Sequence, residues 1–200
     1  MTNPTYGIYV YEQAAELDFA GPQGVFAISN MVNELPPNVV LISQTTDPVT
    51  GIGGMKVIPD YTFDTHPDLD VVLLPGTADI VEYALGNARA MDWVRDQADR
   101  VQFMTGVCTG GLILQKAGLL KGKKATTHWM NVDMMAEDTA TTVLPEARYV
   151  RDGNIVTSQG VSAGIDMALW LVGQLHSPDH ARQVRKIMQY DPAPPYTAEI

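Results

Sequence analysis

Short apolar segments rich in Val, Ile and Tyr alternate along the chain with longer segments whose apolar residues recur at helical spacing. The short segments have the length of buried strands, and the first four cover residues 6–11, 39–43, 71–74 and 101–107. Residues 71–74 are apolar throughout, which is typical of a parallel strand covered on both faces of its sheet. The pattern therefore predicts parallel strands connected by helices.

The longer segments supply the helices. Helical spacing covers residues 21–33, 78–100, 109–120, 163–175 and 178–190. Gly86 divides the second of these into two pieces, because glycine weakens a helix interior. The third is predicted to end at Lys121-Gly122, a basic last turn followed by a capping glycine. Pro178 separates the last two helices, and a Pro-rich tail follows at residues 191–196.

Two segments have the composition of hairpins. Residues 51–63 carry several glycines and a proline and predict a turn or hairpin excursion. Strands at 148–151 and 155–158 are joined by Asp152-Gly153, a frequent hairpin signal. With strands and helices alternating over 200 residues, we expect one α/β domain spanning residues 1–200. Its fold is predicted to be a doubly wound, mostly parallel sheet sandwiched by helices.

Composition and charge limit the function classes. The chain has 13 basic and 23 acidic residues, a net charge of −10, and 46% hydrophobic residues, which excludes global disorder. Nucleic acid and anionic membrane are not expected as partners, because both require clustered positive charge. No signal peptide is visible at residues 1–5, and no apolar run approaches the ~18 residues that cross a bilayer. We therefore expect a soluble cytoplasmic protein.

The single cysteine, Cys108, excludes an intrachain disulfide and a Cys-rich metal site. A lone cysteine is more often a small buried apolar residue than a nucleophile. Here, however, a strand ends at Val107, a helix follows at once, and Gly106 and Gly110 occupy the glycine positions of the G-x-S-x-G elbow. Such a turn is strained and requires small neighbours. We also expect the helix N-terminus to lower the pKa of the thiol.

Several stretches resemble the DJ-1/PfpI (ThiJ) superfamily and, within it, the isonitrile hydratase branch. They are GVCTGGLILQKAGLLKGKKATTHW at 106–129, LDFAGPQGVF at 17–26, VVLLPG at 71–76, TSQGVSAGIDMAL at 157–169 and YDPAPPY at 190–196. The resemblance covers nearly the whole chain. It implies a flavodoxin-like fold with a nucleophile elbow, and a homodimer.

The resemblance also implies roles for residues around the elbow. Asp18 matches the acidic residue that works beside the cysteine, although an aspartate ahead of Gly-Pro is also a common helix N-cap. Proteases of the superfamily place His after the cysteine, and Thr109 stands there instead, which disfavours peptidase activity. His128 matches a histidine that lies near the site without acid–base work.

A second departure from the superfamily lies at Pro75-Gly76-Thr77, where two adjacent glycines are usual. Because a backbone N–H is present with any side chain, Thr77 N–H and Thr109 N–H are candidate oxyanion donors. Gly76, Thr77 and Thr109 are therefore the expected substrate-binding residues. The extra side chain of Thr77 bears on which substrate fits.

The resemblance points to a cysteine-dependent hydratase that converts a small neutral isonitrile into an N-substituted formamide. Cys108 is the expected nucleophile, and Asp18 the acid and base, with its pKa raised by burial and by the charge of the nearby thiolate. This chemistry needs no metal or organic cofactor. His176 and His180 have metal-ligand spacing, but Pro178 lies between them and no third ligand is apparent. The alternatives are a cysteine-based redox or stress sensor and a glyoxalase-like enzyme.

Overall fold

The structure, a computed structural model, describes residues 3–192, so most of the predicted Pro-rich tail lies outside the described residues. The strands are β1 (Tyr6–Tyr9), β2 (Val39–Ser43), β3 (Val49–Thr50), β4 (Lys56–Val57), β5 (Tyr61–Thr62), β6 (Val71–Leu74), β7 (Phe103–Val107), β8 (Lys124–Ala125), β9 (Thr142–Val143), β10 (Tyr149–Asp152) and β11 (Ile155–Ser158). The helices are α1 (Glu16–Val32), α2 (Ala88–Ala98), α3 (Gly110–Lys116), α4 (Val132–Ala136), α5 (Ala163–Leu175) and α6 (Pro178–Ile187).

A seven-stranded sheet in the order β10-β11-β7-β6-β1-β2-β5 forms the centre of the fold. All neighbours pair in parallel except β10 and β11, which form an antiparallel hairpin. Helices α1, α5 and α6 pack against one another, and α2 packs on α3. The predicted doubly wound, mostly parallel sheet flanked by helices is confirmed.

The central strands are buried along their whole length because helices cover them. Every residue of β1, β6 and β7 is buried, as their apolar sequences predict. The carboxyl ends of these parallel strands and of β11 lie at one edge of the sheet, and the loops that follow them meet there. In doubly wound folds this edge is where ligands bind.

Two predicted helix boundaries are wrong. Helix α1 begins at Glu16 rather than residue 21, and Pro22 lies inside it. The acidic first turn, Glu16 and Asp18, favours this earlier start because carboxylates stabilise a helix N-terminus. Helix α3 ends at Lys116 rather than 120, because the Leu119 and Gly118 N–H groups bond back to Leu114 and Gln115 at 3.0 and 2.8 Å. The left-handed Gly118, with φ +84°, permits this Schellman ending.

Other boundaries agree with the pattern. The segment 78–100 divides at Gly86 into a π-helical turn, Val81–Leu85, and α2. Helix α5 covers the predicted range, and Pro178 is the first residue of α6. The predicted excursion at 51–63 contains the turn and the second strand, β4, of a hairpin whose first strand, β3, lies just before it. It also contains β5, which pairs with β2 at the edge of the main sheet and was not predicted.

None of the helices within residues 3–192 is long and apolar enough to cross a membrane.

Candidate active site

Cys108 lies on a strained elbow at the centre of this edge. It directly follows β7 and has φ +58°, a left-handed conformation that is rare for residues other than glycine. A Cβ on Gly110 would stand 2.0 Å from the Leu74 carbonyl oxygen, and one on Gly106 would stand 2.8 Å from the Gly111 nitrogen. The predicted requirement for glycines on both sides of the cysteine is therefore confirmed.

Asp18 projects from the first turn of α1 towards the elbow and is completely buried. Its Oδ2 accepts a hydrogen bond of 2.9 Å from the Gly76 N–H, whereas its Oδ1 has no hydrogen-bond partner within residues 3–192. The N-cap interpretation is wrong, because Ala15 occupies the cap position and Asp18 lies inside the helix. The carboxylate instead connects α1 to the loop after β6.

Burial raises the pKa of Asp18 to about 6, as expected. Three neighbours oppose the effect of burial, namely the Gly76 N–H, the Cys108 thiol and the Val161 N–H. A carboxyl group with this pKa can exchange its proton near neutral pH, which is the property that a general acid and base requires.

The pKa of Cys108 is raised, whereas the sequence predicted that the helix N-terminus lowers it. Burial, followed by the charge of Asp18, raises it to about 12, although the N–H groups of Thr109 and Val161 act in the opposite direction. The N-terminus of α3 does not prevail because the thiol is 8% exposed and faces a carboxylate, and because α3 has only seven residues. At neutral pH the resting pair is therefore a thiol beside a carboxylate.

The loop after β6 brings Gly76 and Thr77 against Thr109. The Thr77 N–H donates to Thr109 Oγ1 at 2.9 Å, and the same hydroxyl donates to the Thr77 carbonyl at 2.9 Å. A Cβ on Gly76 would lie 2.5 Å from Thr109 Oγ1 and 3.0 Å from Asp18 Oδ2, so only glycine fits. Consequently the N–H groups of Gly76 and Thr77 are both engaged within the protein. Thr109 N–H is the predicted oxyanion donor that remains directed at the Cys108 sulfur.

Two residues at the site, Val161 and Tyr11, were not predicted from the sequence. Val161, with φ +54°, presents its N–H to both Asp18 and Cys108. Nothing in the sequence signals this, because a β-branched residue disfavours positive φ. Tyr11 is buried, donates its hydroxyl to the Pro75 carbonyl at 2.9 Å, and has a pKa raised well above its usual value by burial. Its position just beyond β1, at the carboxyl edge of the sheet, was the available signal.

The three histidines that the sequence analysis singled out make structural contacts. The His128 ring packs against Gly160, and its Nδ1 accepts the Met130 N–H at 3.3 Å, so it caps a short helical turn. His180 bonds Ser29 at 2.8 Å, and His176 lies beside Asn33. Within residues 3–192, no group of three or more His, Cys, Asp or Glu side chains is placed to hold a metal ion.

Comparisons with known proteins identify relatives of this chain. The model of the DJ-1/PfpI family matches residues 7–174. Isonitrile hydratase of Pseudomonas putida is 39% identical over 191 residues, which cover 95% of this chain and 80% of that protein. A ThiJ/PfpI family protein from Pseudomonas syringae superposes with a TM-score of 0.88 at 35% identity, over all of this chain and 80% of that one. Drosophila melanogaster DJ-1beta shares the fold, with a TM-score of 0.82 at 20% identity over 95% of this chain and all of that one. The chain with this strained cysteine elbow therefore belongs to the DJ-1/PfpI family.

Proposed function

We propose that this protein is an isonitrile hydratase that uses Cys108 as nucleophile and Asp18 as acid and base. The observation that carries the proposal is the isolated pair of a buried thiol and a buried carboxyl group at the family's elbow. The identity of 39% to the Pseudomonas putida isonitrile hydratase supports the reaction class. The position after the cysteine, where the superfamily's proteases have His, is taken here by Thr109, so the carboxyl group has to do the proton transfer.

The first step begins with proton transfer from the Cys108 thiol to Asp18, whose raised pKa favours uptake of the proton. Transfer of the thiol proton to Asp18 creates a thiolate and a carboxylic acid without changing the charge of the buried site. The thiolate then attacks the terminal carbon of the isonitrile, and the Asp18 acid protonates that same carbon. The thiol has thus added across one carbon, and the product is a thioimidate in which Cys108 Sγ is bonded to a CH=N group.

The second step adds water to the thioimidate. Asp18, again ionised, takes a proton from a water molecule while the water oxygen bonds to the carbon, and it then passes this proton to the nitrogen. The resulting tetrahedral intermediate carries OH, SCys and NHR on one carbon. Its collapse breaks the C–S bond and releases the N-substituted formamide and the Cys108 thiol. Thr109 N–H, directed at the sulfur, stabilises the leaving thiolate.

A neutral, apolar substrate suits the surroundings of the pair. A second anion would be repelled by the Asp18 carboxylate in a site with little water, where charges interact strongly. Val161, on the loop before α5, exposes 41% of its surface. An exposed apolar side chain near the buried polar pair favours an alkyl or aryl isonitrile.

The test follows the conversion of an aryl or alkyl isonitrile to its formamide by the purified protein. Wild-type protein is expected to turn over, Cys108→Ala to be inactive, and no added metal to be needed. Mass spectrometry of wild-type protein, quenched during turnover of excess isonitrile, looks for an adduct on Cys108 with the mass of one isonitrile. Full turnover by Cys108→Ala would exclude the covalent mechanism, and turnover of methylglyoxal in place of the isonitrile would favour the glyoxalase-like alternative.

The redox-sensor alternative receives no support from the site. Rapid peroxide oxidation is favoured at an exposed thiol, whereas Cys108 is buried.

A further inference from the structure

The turn that precedes α5 is held in an unfavourable backbone conformation beside the site. Val161 is β-branched and has φ +54°, a left-handed conformation that such residues strongly disfavour. On its other side, a Cβ on Gly160 would stand 2.1 Å from the His128 ring, so the turn has no room to relax towards His128. A strained turn of this kind persists only where the surrounding contacts hold it.

The strain has a consequence for the reacting groups. The Cys108 N–H donates to the Ser158 and Gln159 carbonyls at 3.3 and 3.2 Å, so the turn begins at the elbow itself. The Val161 N–H lowers the pKa of both Asp18 and Cys108 and so favours the charged form of each. Loss of the conformation would withdraw a donor from the carboxylate and from the thiolate at once. The geometry of the turn therefore controls how the pair shares its proton.

Arg148, just before β10, bridges the two ends of this turn. Its Nη2 donates to Ser162 Oγ at 3.0 Å, and its Nε donates to Asp166 Oδ2 at 2.7 Å. The side chain is therefore hydrogen-bonded to the first turn of α5. Its carbonyl accepts the Gln159 N–H at 3.0 Å, on the other side of Val161. Tyr190 lies beside Asp166 and Arg148 at the outer end of the network.

Global stability does not explain this arrangement. The side chains of Arg148 and Asp166 are 44% and 26% exposed, and exposed ion pairs contribute about 0–1 kcal/mol. We propose that Arg148 is a positioning residue of the site, holding the Gln159–Gly160–Val161–Ser162 turn so that the Val161 N–H stays directed at Cys108 and Asp18. It touches neither reacting group and acts through the turn.

The test compares Arg148→Met with Arg151→Met. Methionine keeps an aliphatic stem and removes the guanidinium donors. Arg151 is the matched control, because it lies in the same strand segment but contacts Gly153 and the faces of Phe103 and Trp170 instead of the turn. Thermal melting confirms that both variants fold.

Two readouts are measured. The first is the titration of Asp18 by NMR of ¹³C-labelled aspartate, assigned with Asp18→Asn. In Arg148→Met the midpoint is expected to rise above that of wild type by about half a pH unit, because a donor to the carboxylate is lost. The second is kcat/KM for an isonitrile, expected to fall about tenfold, mainly in kcat, as reacting groups lose alignment. Arg151→Met is expected to resemble wild type in both.

The kinetic readout rests on the proposed function, and the titration does not. If wild type fails to hydrate isonitriles, the proposed function fails while the titration still tests Arg148. An Asp18 midpoint and kcat/KM that match those of Arg151→Met would overturn the role of Arg148. Should Arg148→Met not fold, Ser162→Ala decides, because it removes the contact with the turn and keeps the Arg148–Asp166 pair. It is expected to raise the midpoint in the same direction, and an unchanged midpoint counts against the proposal.

Discussion

Helix α1 carries three buried polar side chains, Asp18, Ser29 and Asn30, and the first two differ in how their polar atoms are satisfied. Ser29 is fully buried and bonds His180 at 2.8 Å, so the polar groups of this pair satisfy each other. Asp18 is equally buried, but one of its oxygens has no hydrogen-bond partner within residues 3–192, and its neighbour is a thiol.

This difference in hydrogen bonding indicates a structural role for Ser29 and a chemical role for Asp18. A buried hydrogen bond such as Ser29–His180 stabilises the contact of α1 with α6 at little cost, because no charge is buried. A buried carboxylate with an unfilled acceptor is unfavourable for folding, and its pKa rises in consequence. Such a group is retained where its proton is used.

The largest expected effect comes from Asp18→Asn. The amide has the same shape but cannot transfer the proton, so we expect isonitrile turnover to fall by about 10²–10⁴-fold. Stability in urea is expected to hold or increase, because a buried charge is removed. The measurements are kcat/KM and the midpoint of urea unfolding. Turnover within a few-fold of wild type would remove Asp18 from the chemistry.

Ser29→Ala is expected to do the reverse. It leaves His180 without its partner in a buried position, and we expect the free energy of unfolding to fall by about 1–3 kcal/mol. Isonitrile turnover at a temperature well below the melting point is expected to stay near wild type. A large loss of activity in the folded Ser29→Ala protein would show that the two regions of α1 are coupled.

The pH dependence of stability distinguishes the two regions by sign. The folded pKa of Asp18 is raised from 3.8 to about 6, so the folded state binds the proton more tightly than the unfolded state, and Asp18 lowers stability as pH rises from 4 to 6. The effect amounts to about 3 kcal/mol at neutral pH, from about 1.4 kcal/mol per unit. The stability of Asp18→Asn relative to wild type should therefore increase over this range. Urea unfolding at several pH values measures it.

His180 titrates in the opposite sense. Burial lowers its pKa below 6.5, so the folded state favours the neutral ring. Its contribution is present above the unfolded pKa and is lost as pH falls through that value and below it. The same series of urea unfolding experiments, run on Ser29→Ala and His180→Gln, is expected to show a weaker loss of stability on the acid side for His180→Gln. An identical acid limb in wild type and His180→Gln would contradict this.

The smallest expected effect concerns Thr77. Its hydroxyl is buried and has no hydrogen-bond partner in the part of the chain that the structure describes, while its N–H bonds Thr109. Thr77→Val keeps the shape and the N–H and removes the orphan hydroxyl, so we expect stability to rise by about 1 kcal/mol or less. Thr77→Ser is the matched control that keeps the hydroxyl. A loss of turnover confined to Thr77→Val would assign the hydroxyl a part in the reaction.

Much of this architecture could be predicted from the chain. The apolar strands, the division at Gly86 and the range of α5 were predicted because hydrophobic periodicity and glycine act locally. The elbow was predictable for the same reason, since Gly106 and Gly110 are required by close backbone contacts with Leu74 and Gly111. The start of α1 was missed because Pro22, tolerated inside the helix, resembles a helix start.

By itself, the sequence determined the order of the elements, the strained cysteine turn and the family to which the chain belongs. Only the tertiary structure decided the protonation of the pair and the surroundings of Asp18. Helix α1 brings the Asp18 carboxylate against a buried thiol, and the resulting loss of hydration raises both pKa values, which overrides the local effect of the α3 N-terminus on Cys108. The effect of the Val161 N–H on this pair could likewise be identified only from the tertiary structure. Desolvation and backbone strain depend on what surrounds a residue in space, and residues distant in sequence provide those surroundings.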